Sequence, residues 1–337
     1  MNRNLRNLRT FASAILSAGI CCNPMPGQGP VIMTIDTQNV VEYQADTGNV
    51  PQYATNPNVV PAAPIRNFTL ATPLGDIVAV NGETAKGLYT SVVTSILASP
   101  TPNASEGGAI ADSTAGSIRQ QIFHILKSDG TAVGTIIALG LNGDVAPGSP
   151  AVIHNGDWAI VGGTGAFLGV RGQMGRSVQT VAARAASTVE DPGNRRINGG
   201  GTLQWVFTLF PMSTPQIITT ATGPAITHSA DFTIVSAANP ATAGETLSLF
   251  ATGLGPTNPG VDPGQPFTAN PLQVVNSPVK VLVNGESAQV LAAVGYAGAS
   301  DGYQVNFQVP PDTAKGLATI QVSAAWIPGN TVSIPIQ

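Results

Sequence analysis

DWAIVGGTGAFLGVRGQ, residues 157–173, is the stretch whose reading decides the fold. It opens as a strand, breaks at a glycine cluster and resumes as a strand. Gly162, Gly163 and Gly165 permit positive φ and so a sharp reversal. Gly169 and Gly172 permit a bulge or close strand approach. Phe167 is placed to plug the wall or the end of whatever sheet this hairpin joins. A phosphate-cradling loop is the rival reading. The order Gly163, Gly165, Gly169 has the wrong spacing for GxGxxG, and no helical pattern follows, which argues against a dinucleotide site.

Outward from this hairpin the hydrophobic period is two almost everywhere. Residues 31–43, 75–80, 86–97, 118–126, 134–141, 157–161, 167–174, 177–181 and 202–210 form a series of strands. Turn chemistry separates several of them, notably Asn81-Gly82 and Ser128-Asp129-Gly130. Residues 51–64, 99–108 and 191–201 are Pro-, Asn- or Gly-rich loops. Residues 212–230 are a polar Ser/Thr/Pro stretch that serves as a linker. Beyond it the alternation restarts at 245–250, 279–283, 289–294 and 303–309, and again around Ile320 and Val332. The expected fold is all-β: antiparallel strands over 30–211, then a β-sandwich over 231–337; the family resemblances of the two halves imply an antiparallel β-barrel of about eight strands and an immunoglobulin-like sandwich. Alternation alone fits a larger sandwich as well as it fits a barrel.

Length and composition agree with two β domains. At ~150 residues per domain, a chain of 337 residues holds about two. Only 9% of residues are charged and the net charge is −4, so the basic stripe that marks nucleic-acid binding is missing. Residues 1–22 carry Arg3, Arg6 and Arg9 ahead of the short apolar run FASAILSAGI, the order of a signal peptide and too short to span a bilayer. The expected location is therefore secreted or at the cell surface. Lipid anchoring at Cys21 or Cys22 is the alternative, although Ile20 and Cys21 sit where a lipidation signal has other residues. Both cysteines of the chain lie at this segment. Cleavage there leaves mature domains without a disulfide. Three scattered histidines give no zinc pattern, so neither metal nor cofactor is expected.

The 157–173 stretch resembles the signature of the allene oxide cyclase/dirigent superfamily: a strand, GGTG, an aromatic residue two positions on, then a small-X-Gly ending. LGDIV at 74–78 resembles the strand opening of cyclase-type members, and Leu209-Phe210-Pro211 resembles the superfamily's closing strand. The resemblance implies a barrel that steers a reactive molecule by confinement, and a homotrimer. On it, Asp36 takes the place of the cyclases' first-strand carboxylate, and Arg171 that of an arginine in the dirigent ending. Ala166 stands where plant dirigents have an acidic residue, and Arg171 where cyclases have a tyrosine. Phe167 and His124 are the candidate ligand contacts. Each has a plainer reading as well: Asp36 as a solvent-facing strand residue, Arg171 as a rim arginine, and His124 as a partly buried structural histidine beside Ile118, Ile122 and Leu126. Arg119, Tyr43 and Tyr89 are polar candidates that no pattern singles out. In the C-terminal half, GE…LFATGLGP…VLVNGE…GYQVNFQVP resembles an IPT/TIG-type module of secreted soil-bacterial proteins.

Three functions follow as expectations. The barrel binds a small apolar molecule while the C-terminal module presents or attaches it; or the barrel is a cyclase-like or dirigent-like enzyme; or it is a filled, purely structural surface protein. The first two need room inside the barrel, and the third needs large side chains packing it shut.

Overall fold

A computed structural model of the chain describes residues 29–45, 70–96, 116–142, 148–153 and 155–337. The expected signal segment, the loops at 51–64 and 99–108, both cysteines and His154 lie outside these residues. The chain divides into two compact units, with the boundary between Met212 and Ser213.

The first unit is built from β1 (Val31–Ala45), β2 (Leu70–Val80), β3 (Glu83–Ile96), β4 (Gly116–Lys127), β5 (Ala132–Asn142), β6 (Asn155–Gly165), β7 (Arg171–Val181), β8 (Arg184–Ser187) and β9 (Gly201–Phe210). The sheet runs β2-β3-β4-β5-β6-β7-β9-β1, and β1 pairs with β2, closing an eight-stranded antiparallel barrel. Closure removes the free strand edges. Beyond Val40, where β9 begins at Gly201, the flank of β1 is taken by β8 in parallel.

The two ends of the barrel differ. At one end the connections are tight. Asn81 and Gly82 both have positive φ (49° and 75°), the geometry of a two-residue hairpin turn. Ser128–Thr131 joins β4 to β5, and the hairpin of residues 165–170 joins β6 to β7. A side chain at Gly165 would strike the Val133 carbonyl at 2.4 Å, and its φ is +62°, so the reversal needs glycine there. The opposite, loop-bearing end carries the strand ends that flank residues 46–69, 97–115 and 143–154 in the chain, and the described segment 182–200. That last segment carries β8 and a 3₁₀ turn, Pro192–Arg196.

Inside, Tyr89, Phe123, Trp158, Trp205 and Phe207 are almost wholly buried. Their rings touch in series. Tyr89 lies 4.7 Å from Trp205 and 5.0 Å from Phe123, Phe123 lies 5.0 Å from Phe207, and Trp158 lies 6.0 Å from Trp205. Such tilted and edge-on pairs add about 0.5–1.5 kcal/mol each beyond area burial. With Met33, Ile35, Ile125 and Ile136 they fill the middle of the lumen.

The second unit, described over Ser213–Gln337, contains β10 (Gln216–Ile217), β11 (Thr219–Thr220), β12 (Gly223–Pro224), β13 (Ile226–His228), β14 (Thr246–Thr252), β15 (Thr257–Asn258), β16 (Val274–Val275), β17 (Val279–Val283), β18 (Glu286–Gly295), β19 (Tyr303–Gln308), β20 (Gly316–Ala324) and β21 (Ile327–Ile336). The main path is β10-β14-β19-β18-β17-β20-β21. The first residues of β18 pair with β17 and the rest with β19, so one strand turns the sheet. The path nearly closes: the Ile217 amide donates to Asn330 Oδ1 (2.7 Å), and Asn330 Nδ2 donates to the Ile217 carbonyl (3.1 Å). Leu247, Leu249, Val281, Val305, Phe307, Ile320 and Val322 form its core.

The expected linker at 212–230 is corrected by these strands. Ile217 and Ile226 are buried in that core, and β10 and β13 both pair with β14. Polar composition hid the alternation because the strands there are only two or three residues long.

Candidate functional site at the loop-bearing end of the barrel

Paired residues in an antiparallel ladder share a face, so the register states which side chains line the lumen. On β4 the inward set is Ser117, Arg119, Gln121, Phe123 and Ile125, the last four opposite Val93, Ser91, Tyr89 and Gly87 of β3. Arg176 of β7 stands opposite Trp205. On β1 the alternation is reset by a bulge at Asn39, which has φ 54°. Val40 lies inward, over Gly75, which also has the Tyr89 ring beside it. Val41 and Tyr43 pack outside the barrel with Leu74 and Ala186. Glu42, two residues beyond Val40 and opposite Pro73, therefore returns to the inward face.

Arg119, Arg176 and Glu42 thus come from three separate strands to the loop-bearing end, above the aromatic fill. They act electrostatically on one another and on Tyr89. Burial first, then Glu42, pushes the Tyr89 phenol up, while Arg119 and Arg176 pull the other way. Arg176 is half-buried and is held below its ordinary value by burial and then by Arg119. Among the described residues, neither Arg176 nor Glu42 makes a side-chain hydrogen bond or ion pair. Arg119 makes one long contact, Nε to Ser117 Oγ at 3.4 Å.

Beneath this charged ring lie two donors with no partner among the described residues. Gln121 accepts the Tyr89 hydroxyl at Oε1 (3.1 Å), while its Nε2 is buried with no such partner. Trp205 Nε1 donates to Thr37 Oγ1 (3.2 Å), but Trp158 Nε1 is buried and has no partner among the described residues. The Trp158 ring covers Gly156, where a Cβ would meet it at 1.9 Å. Gly156 lets the indole lie flat along β6.

The residues singled out by resemblance lie elsewhere. Asp36 is on the outer face of β1, alternate to the fully buried Ile35, and accepts from Gln204 Nε2 at 2.9 Å. Arg171 is exposed at the start of β7, opposite Phe210, and donates to the Val170 carbonyl (3.0 Å). Phe167 is buried at the tight-turn end, its ring against Gly134. His124 is exposed rather than partly buried. It shares the outer face of β4 with Ile118, Ile122 and Leu126, and Ile118 is itself 48% exposed. The apolar run beside His124 pointed to the wrong face, because both faces of β4 are rich in apolar residues.

His124 lines an outer groove with Lys86, Asp76, Arg195 and Arg196. The strongest charges in it are paired. Arg195 Nη2 and Arg196 Nη2 each reach Asp76 Oδ1 at 2.6 Å, Arg196 Nε reaches Oδ2 at 2.9 Å, and Asn39 Nδ2 reaches Oδ2 at 3.0 Å. Burial raises the Asp76 pKa, but these hydrogen bonds outweigh it and hold the carboxyl below its ordinary value. A second clamp joins Arg184 to Glu190 through two bonds of 2.9 and 2.6 Å. The Asp76 clamp anchors the segment 182–200 to β2, and the Arg184–Glu190 clamp braces that segment internally; both roles are structural.

No protein-family profile and no curated protein matches the chain. Among solved structures, a polysaccharide lyase is similar at 10% identity and a TM-score of 0.16, over 90% of this chain and 39% of that one. A likeness that weak carries no argument about fold or activity. This chain spans about two fifths of that protein's length.

Proposed function

We propose that the barrel is a small-molecule-binding module that takes its ligand at the loop-bearing end, as a shallow site rather than a lumen-long one. The observation that carries this reading is a plugged middle with inward-facing charges above it. Touching rings fill the barrel at mid-height, while above them two arginines and a glutamate face inward near two buried donors that have no partner among the described residues. Buried donors left unpaired cost about 1–3 kcal/mol each, a cost that a ligand acceptor recovers. The same rings favour the filled, structural barrel as the second reading. The cyclase-like or dirigent-like reading loses support, because Asp36 and Arg171 both face outward.

Kinship with the allene oxide cyclase/dirigent superfamily is part of the proposal. Its support is the order of three matching segments, together with the closed eight-stranded antiparallel barrel. The second unit, which we read as an immunoglobulin-like module, presents or attaches the barrel outside the cytoplasm. The basic-then-apolar N-terminal sequence supports that location.

Native mass spectrometry of the full chain purified from its own host tests the binding reading. A small organic molecule retained at one per barrel is expected. A chain that retains none, and whose tryptophan emission responds to no small molecule in the host's extract, would make the barrel structural.

A further inference from the structure

The loop-bearing end holds a surplus of donors and of positive charge. Guanidinium groups donate only, indole N–H donates only, and the Gln121 oxygen already accepts from Tyr89, which leaves its amide N–H groups to donate. Arg119 and Arg176 together outweigh Glu42 by a single positive charge, which matches a monoanion and disfavours a dianion beside Glu42. Below the donors the rings of Trp158 and Trp205 meet edge-on, 6.0 Å apart and inclined at 62°. Because the rings fill the lumen, a compact body suits this end better than a lumen-long one.

We propose that this end is a carboxylate site, in which Arg119 and Arg176 clasp the carboxylate of a compact aromatic or short-chain acid and the Gln121 amide donates to it from below. The inference rests on the binding reading and names the group that site recognises. A carboxylate accepts from both guanidinium groups at once, relieves their mutual repulsion and occupies the unpartnered donor. Half-burial of Arg176 leaves that attraction less screened than at an exposed site.

The test compares 3-phenylpropionate with 3-phenylpropanol on the full chain at pH 7, by tryptophan emission and calorimetry. The acid is expected to bind about ten-fold or more tightly than the alcohol, about 1.4 kcal/mol. Arg119→Gln and Arg176→Gln are expected to erase that preference, weakening acid binding more than alcohol binding. Glu42→Gln removes the competing carboxylate and is expected to tighten acid binding. That gain cannot come from a damaged fold, so it guards against arginine variants that fail to fold. Equal affinity for acid and alcohol, or a Glu42→Gln variant without the gain, overturns the proposal. If neither probe binds while native mass spectrometry still finds a host molecule retained, the carboxylate assignment falls and the binding reading stands. If nothing is retained either, both fall.

Discussion

Trp205 joins structure to site. Its ring meets Tyr89, Phe123 and Trp158, its Nε1 holds Thr37, and its register partner is Arg176. Trp205→Ala is expected to lower stability by about 3–5 kcal/mol in urea unfolding, the usual range for emptying a large aromatic site in a core. A loss below about 1 kcal/mol would mean that the rings do not form a close-packed plug. The aromatic fill was only partly legible in the sequence. The strand ending in Leu209-Phe210 was plain, and Trp205 and Phe207 alternate within it. Arg119 and Arg176 were not legible as a pair. They lie 57 positions apart on strands that become cross-lumen neighbours only once the ring closes. Asp36 was legible as a strand residue, but period two does not state which face is interior.

At the scale of elements, β1 and the segment 182–200 explain most of the difference between reading and structure. The bulge at Asn39 shifts the phase of β1, so Val41 and Tyr43 leave the lumen and Glu42 enters it. No residue pattern announces that shift, since Asn39 resembles any polar strand residue. The loop at 191–201 was recognised from its glycines and proline, but its anchoring was not: Asp76, some 120 positions earlier, supplies the carboxylate. Asp76→Ala is expected to free this segment. Limited proteolysis should then cut within 182–200 several-fold faster, while the β3–β4 pairing keeps its slow amide exchange. Unchanged cutting would mean that the β1–β8 pairing holds the segment without Asp76. Acid should weaken the same anchor. Asp76 and Glu190 both have folded pKa values below their ordinary ones, so their stabilisation is present above about pH 4 and is lost as pH falls through the folded values.

At the scale of the whole molecule, the Asp76 and Glu190 pairs of the first unit and the His228 pair of the second are expected to weaken in opposite directions of pH. In the second unit His228 Nδ1 lies 2.5 Å from Glu245 Oε1, and its Nε2 faces the Asn239 carbonyl at 3.3 Å. Burial lowers the His228 pKa, but the Glu245 carboxylate and the Asn239 carbonyl outweigh it and raise the value. The stabilisation is therefore full below about pH 6.5 and is lost as pH rises through the raised folded value. Thermal unfolding across pH 4 to 9 should show the second unit's transition falling on the alkaline side, and His228→Gln should flatten that fall. A second-unit transition that does not change above pH 6.5 would remove the pair from the stability account. The division into two β units was visible in the sequence because the alternation restarts, but the point of division was not. Strands of two residues, such as β10, leave too short a period to detect.

The central claim is that the barrel binds its ligand at the loop-bearing end, above an aromatic plug. Diffraction from crystals of the full chain purified from its own host, at a resolution that separates a small organic molecule from solvent, tests it most directly. The account predicts a compact molecule between Arg119 and Arg176, resting on the Trp158 and Trp205 rings. A molecule bound instead in the outer groove beside His124, or a loop-bearing end filled by the protein's own side chains, would contradict it.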